Sequence, residues 1–347
     1  MKSVIYIVSP YYKTGGPKSL HQLANVLVEK KYDVYMVYYC NGEYIKADSI
    51  LFDFCKAKIT EKEAIIDKSE NKIIVSEYDT GILLDFKQLE KYVWWLSLDY
   101  YRCNKLYYYS YLKLRKKSLP KILLPFAMIY KGMIKKDKRG KYLKFNEFKN
   151  MKHMYNCEYI HRYLLKKGIP EENTSYLCGP LEENYNNINK ENILEFKENI
   201  VLYNPAKINK KFLRKIYREV NYMDKTIKFI PIQNMTRDEV YNTLKKAKVY
   251  IDFGYFPGPE RMPREAVSLY CNIITSKLGS AANDIDVPIT DNYKFEMNNQ
   301  NVYKVANLII KMCNNYEQYI NDFDVYRIKV KSQIDNFEKN AYAFISK

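Results

Sequence analysis

Histidine is almost missing from this chain. His21, His153 and His161 are the only three, with no HExxH and no partner at i, i+4, and no DxD falls in a plausible binding pocket, so a metal centre is not expected. Seven cysteines are scattered, odd in number and without a CxxC pair, which excludes a disulfide framework or a zinc cluster and suits a reducing cytosol. No run reaches about 18 apolar residues, so no membrane-spanning helix is expected. The first residues, MKSVIYIVSPYYKTGG, have one early lysine and a short β-branched run broken by Pro10, without the apolar length or cleavage site of a secretion signal. GxGxxG and GxxxxGK are also missing, which leaves nicotinamide-dinucleotide and P-loop chemistry unsupported. Repeats and low-complexity tracts are absent as well.

What is present suits packed domains. A length of 347 residues is comfortable for two domains of roughly 150 to 180 residues. With 47% apolar residues, including 36 tyrosines and 15 phenylalanines, both can hold cores, and the chain is not a disordered one. The net charge of +17 is concentrated: from Arg102 to Lys152, sixteen Lys or Arg face only two acids, Asp137 and Glu147. Aromatics are interleaved there, and LPKILLPFAMIY, an apolar stretch broken by proline, lies in the middle. This mixture suits an anionic bilayer surface or a phosphorylated lipid acceptor, each cation contributing about 1 kcal/mol. Nucleic acid is a competing partner, placed last because no nucleic-acid module accompanies the charge; a solvated face of ordinary helices is the remaining alternative.

Periodicity points to an α/β fold. SVIYIV (3–8) is an apolar run of strand length, Leu20, Leu23, Ala24 and Leu27 recur at helical spacing, and DVYMVYY (33–39) is the next strand. Further strands are expected at 72–78 and 91–98, with a short helix near 84–91 and another near 157–167 ending at Gly168. A second set begins near Asn199, with strands at 199–205, 226–232, 249–253 and 272–277 and helices at 208–220, 237–246 and 263–269. The expected organisation is a first Rossmann-like domain over 1–181 with a basic aromatic insert at 102–152, a polar linker at 182–198, a second Rossmann-like domain over 199–300, and terminal helices over 301–347. Two such domains would face each other across a cleft.

The candidate site residues lie where strands hand over to helices, since open α/β sheets bind ligands there. In the first domain, Gly15 and Gly16 precede a helix whose first turn holds Lys18, a setting that favours an anion or an acceptor. Asp99, at the end of the strand containing Trp94 and Trp95, is a candidate base or positioning group; the tryptophans themselves are expected in the core. In the second domain, Asn204 and Lys207 follow one strand, and Lys207 can meet a diphosphate as a point charge. Gln233 and Asn234 end the next strand, with amides suited to a nucleobase edge. PGPERMPREA (257–266) is the densest signal. Its prolines fix the loop, Arg261 and Arg264 can fork onto phosphate oxygens, and Glu265 can accept from ribose hydroxyls. Glu260 is a further candidate acid, and Gly279 with Ser280 would supply backbone donors.

GGPKSLHQLANVL, VWWLSLDYY, NCEYIHRYLLKKGI, VLYNPAK, FIPIQNMT, YIDFGYFPGPERMPREAV and LGSAANDIDVPI together resemble bacterial nucleotide-sugar glycosyltransferases of the GT-B fold, of the kind that assemble capsular or other cell-surface polysaccharides. The resemblance implies an acceptor-binding first domain and a second domain that binds the nucleoside diphosphate sugar, with no further cofactor and no metal. It also implies Lys207, Arg261 and Arg264 at the diphosphate. Glu265 matches the second glutamate of the Glu-x7-Glu signature of glycosyltransferase family 4. Pro257 stands where the first would be, so no sugar-contacting glutamate carries over. The enzyme so implied acts in the cytoplasm, peripherally at the inner face of the membrane, on a growing, lipid-linked glycan. The alternatives are a non-catalytic nucleotide-sugar or polyanion-binding protein with the same shell and, more weakly, a phosphate-ester transferase.

Overall fold

The structure, a computed structural model, describes residues 3–40, 43–103, 107–108, 110–111, 114, 120–134, 142–186, 188–206 and 209–346. Two compact units divide the chain: Met1–Asn156 with Ile160–Gly179 and Phe337–Lys347, and Cys157–Tyr159 with Pro180–Asn336.

The first unit is built on an eight-stranded sheet of β1 (Val4–Pro10), β2 (Asp33–Cys40), β3 (Glu43–Ile45), β4 (Lys58–Thr60), β5 (Lys72–Ser76), β6 (Glu90–Trp95), β7 (Lys152–Tyr155) and β8 (Thr174–Tyr176). Its order is β3-β2-β1-β5-β6-β7-β8, with β4 beside β2 and only β3 antiparallel. Ile73, Ile74 and Val75 of β5 are all fully buried, as a parallel strand covered on both faces requires. Strand order reverses direction between β1 and β5, so their carboxyl ends flank the crevice of this unit.

The second unit holds β9 (Glu198–Tyr203), β10 (Lys228–Pro231), β11 (Ala247–Asp252), β12 (Asn272–Ser276) and β13 (Lys294–Phe295), in order β10-β9-β11-β12-β13, all parallel. Here the reversal falls between β9 and β11. The helix Lys210–Met223 begins where the Asn209 side chain accepts from the amides of Lys211 and Phe212, and it buries Phe212, Ile216 and Val220 along one face.

Three local outcomes differ from the sequence expectation. Residues 84–91 form no α-helix, because the amides of Lys87, Gln88 and Leu89 all donate to the Asp67 carboxylate at 2.8–2.9 Å. Residues 182–198 lie within the second unit, where Tyr185 and Ile193 join the core. The terminal helices divide: Asn299–Asn314 buries Val302, Val305, Ala306 and Ile309 in the second core, whereas Phe337–Ile345 belongs to the first. Phe337 stacks on Trp94 with centroids 6.3 Å apart, Phe344 meets Tyr92 edge-on at 5.5 Å, and Glu338 pairs with Lys30.

Candidate functional site

The PGPERMPREA segment leaves β11 at Asp252, whose carboxylate accepts from the Gly254 amide at 2.9 Å and the Tyr250 hydroxyl at 3.0 Å. The loop is then tied to the turn after β12. The Ser280 amide donates to the Phe256 carbonyl at 2.9 Å, and the Ser280 hydroxyl donates to the Gly258 carbonyl at 2.8 Å. Gly279 sits at φ +67, and a Cβ there would stand 2.1 Å from the Phe256 oxygen, so no other residue fits. Gly279 and Ser280 were expected to offer donors to a ligand. In the structure the Ser280 amide is spent on Phe256, and the pair shapes the loop instead.

Glu260 stands at the cap position before the helix Arg261–Ser268, in extended conformation and without a side-chain capping bond. Four residues on, Glu265 is only 1% exposed. Its Oε1 receives Arg261 Nε at 3.1 Å and Arg237 Nη1 at 3.5 Å, while Glu182 Oε1 lies 3.6 Å from Arg261 Nη2. Paired guanidinium groups offset part of the cost of burying a carboxylate this deep. Spacing of four puts Arg261 and Glu265 on one helix face. Arg264 falls on another: it is buried, and its Nη1 donates to Gln333 Oε1 at 3.2 Å on the helix Asp324–Asp335. The two arginines, both expected at the diphosphate, therefore point to different neighbours.

Arg237 was not predicted as a site residue. It opens the helix Arg237–Lys246, which starts after β10 with a capping box: the Glu239 amide donates to Thr236 Oγ1 at 3.2 Å, and the Thr236 amide donates to Glu239 Oε2 at 2.6 Å. The TRDE tetrapeptide was the available signal, since it fixes an arginine in the first turn at the carboxyl edge of the sheet. Lys197 was also missed. Its buried ammonium donates to the carbonyls of Leu244 (3.2 Å), Ala247 (2.6 Å) and Leu269 (2.7 Å), the carboxyl ends of both arginine-bearing helices. Burial lowers its pKa, and the two helix ends supply the negative potential that favours its charge.

At the end of β9, half-buried Asn204 accepts from the Ala206 amide at 3.0 Å; Lys207 lies outside the described residues. After β10, Gln233 and Asn234 are exposed, and Asn234 adopts φ +54, a left-handed conformation that asparagine tolerates better than most residues.

In the first unit, Gly15 and Gly16 open the helix Gly15–Glu29 beyond β1, with Lys18 half-buried in its first turn. β6 ends at Trp95, earlier than expected, because Glu77 takes the Leu96 and Ser97 amides at 2.8 and 3.0 Å. Asp99 consequently lies in the first turn of the short helix Leu98–Cys103 and accepts from the Tyr108 hydroxyl at 2.6 Å. Burial lifts the Glu77 carboxyl to a pKa of about 7. Trp94 and Trp95 are fully buried, with Trp95 Nε1 donating to His153 Nδ1 at 3.0 Å.

No known protein-family signature matches the chain, and neither does any curated protein sequence. Solved structures do. The chain is similar to HepE (Alr3699) of Anabaena in complex with UDP-glucose, with 9% identity, 99% of each chain covered and a TM-score of 0.60. It is similar to WaaG, a glycosyltransferase involved in lipopolysaccharide biosynthesis, with 11% identity over 99% of this chain and 100% of that one and a TM-score of 0.58. It is also similar to the lipopolysaccharide outer core galactosyltransferase WaaB, with 12% identity, 99% of each chain and a TM-score of 0.57. At such identities the likeness is one of architecture: two Rossmann-like units in the GT-B fold.

Proposed function

We propose that the protein is a glycosyltransferase that moves a sugar from a nucleoside diphosphate donor to a growing, lipid-linked cell-surface glycan. The observation that carries this is the cluster of Arg237, Arg261 and buried Glu265 at the carboxyl edge of the second sheet, in a fold shared with a protein solved with UDP-glucose. In this reading Arg261 and Arg237 face the diphosphate, joined by Lys207, and neutralise the charge that grows on it as the bond to the sugar breaks. No metal is invoked. Glu265 orients both guanidinium groups and reaches the ribose, while Gln233, Asn234 and Asn204 line the base side. Arg264 holds its helix to Asp324–Asp335 and takes no phosphate. The acceptor belongs to the first unit, where Gly15, Gly16 and Lys18 receive its anionic part and Asp99 positions the attacking hydroxyl. A lipid-linked acceptor places the enzyme peripherally at the inner face of the cytoplasmic membrane.

A panel of nucleoside diphosphate sugars, scored for slow release of nucleoside diphosphate and for thermal stabilisation, tests the reading. Hydrolysis of one donor is expected, with its KM raised about tenfold to a hundredfold in Arg261→Ala and Glu265→Gln proteins that still fold. Neither hydrolysis nor stabilisation by any donor would refute it. Stabilisation without turnover, even with acceptor lipid present, would favour the non-catalytic binding protein.

A further inference from the structure

The basic segment carries a feature that donor chemistry does not use. Ile122, Phe126 and Ile129 are 80%, 70% and 60% exposed, and they recur at i, i+4 and i+7 across the start of the helix Leu124–Ile134. That spacing sets them along one face. Leu123 is 38% exposed, whereas Leu124 is buried at 8%. An aromatic and two aliphatic side chains so open to water are costly for a soluble surface and are seldom clustered without a partner.

The surrounding sequence names the partner's charge. In the sequence, Lys113, Arg115, Lys116 and Lys117 precede the stripe and Lys131, Lys135, Lys136, Lys138, Arg139 and Lys141 follow it, against the single acid Asp137; all but Lys131 lie outside the described residues. We propose that the Ile122–Phe126–Ile129 stripe enters the interfacial layer of an anionic lipid bilayer, whose headgroup charge is opposite to that of the flanking sequence. At 1.5 Å per residue an eleven-residue helix extends about 16 Å, too short to cross a hydrocarbon core of about 30 Å but sufficient to lie in the interface. No helix among the described residues is long and apolar enough to cross a membrane. Exposed apolar area and positive charge are the two components of such binding, and neither suffices alone. The inference rests on the peripheral placement proposed above and not on the chemistry of transfer.

The test is co-sedimentation with neutral phosphatidylcholine vesicles and with vesicles containing 30%, that is roughly a third, anionic phosphatidylglycerol. Partition at least about tenfold stronger into the anionic vesicles is expected at low salt, weakening as salt rises. The triple variant Ile122→Ser, Phe126→Ser, Ile129→Ser should lose most of it, while a Phe126→Trp protein should show a blue shift of emission on adding anionic vesicles. Native Trp94 and Trp95 are fully buried, so the change reports the new side chain. Equal, negligible pelleting with both vesicles overturns the proposal, and so does a triple variant that binds as the parent does, since charge alone would then account for it. A dimer that the variant abolishes, with no lipid bound, would assign the stripe to a second copy and overturn it too. Donor hydrolysis is followed in the same proteins: the variant should retain it, and a chain that binds lipid without hydrolysing any donor refutes the transfer reading alone.

Discussion

Buried ionisable side chains set what single residues contribute. His21 Nδ1 donates to the Pro17 carbonyl and its Nε2 accepts from Tyr38, both at 2.7 Å, and His153 accepts from Trp95; burial holds each of them near a pKa of 4. An unfolded histidine titrates near 6.5, so between about 6.5 and 4 the native state binds fewer protons, and stability falls as the pH is lowered through that window. Glu77 acts with the opposite sign. Its native pKa of about 7 lies above the ordinary 4.5, so its contribution is present in acid and lost as the pH rises across that range. Urea midpoints of His153→Phe measured across pH should show a flatter acid-side fall, by up to roughly 3 kcal/mol between pH 6.5 and 4. A slope identical to the parent's would mean that His153 titrates normally. The tryptophans were legible as core residues because their bulk in the apolar run YVWWL admits little else. Arg237 on Glu265 was not, because that pairing spans 28 residues and depends on how two helices are set against one sheet.

Among elements, the loop from Phe253 to Glu260 shows why prolines are only half of its rigidity. It is also held by Ser276, whose hydroxyl donates to the Gly254 carbonyl at 2.5 Å, and by Ser280 and Gly279. Gly279→Ala forces a Cβ against backbone at positive φ, with an expected loss of ~3 kcal/mol in the second unit and of donor-induced thermal stabilisation. Gly16→Ala is the control, since its Cβ would stand an ordinary 3.6 Å from Leu96 Cδ1 and should cost less than about 1 kcal/mol. Equal urea midpoints for the two variants would reject this role of Gly279 in holding the loop. Strands and helices with continuous apolar runs or caps were read within a few residues; the helix expected at 84–91 failed because a distant carboxylate, Asp67, competes for its amides.

At the scale of the molecule, the chain completes its first core with its last helix. Phe337, Ala341, Phe344 and Ile345 pack among Leu20, Leu23, Tyr92 and Trp94. Ending the chain after Asn336 should remove roughly 5 kcal/mol or more of burial from the first unit. Both tryptophans lie in that unit, so a red-shifted emission and an earlier fluorescence transition would report the loss, and an unchanged transition would show the helix to be dispensable. By itself the sequence determined two α/β sets, the positions of most strands, and the loops that leave the carboxyl ends of those strands, because these follow from periodicity and from prolines and glycines acting locally. Tertiary structure alone decided that Arg237 joins Arg261 on Glu265 while Arg264 turns away, that Lys197 fastens both helices, and that the last helix belongs to the first core. Each of those depends on side chains far apart in sequence sharing one desolvated place, where a charge without a partner is too costly to leave alone.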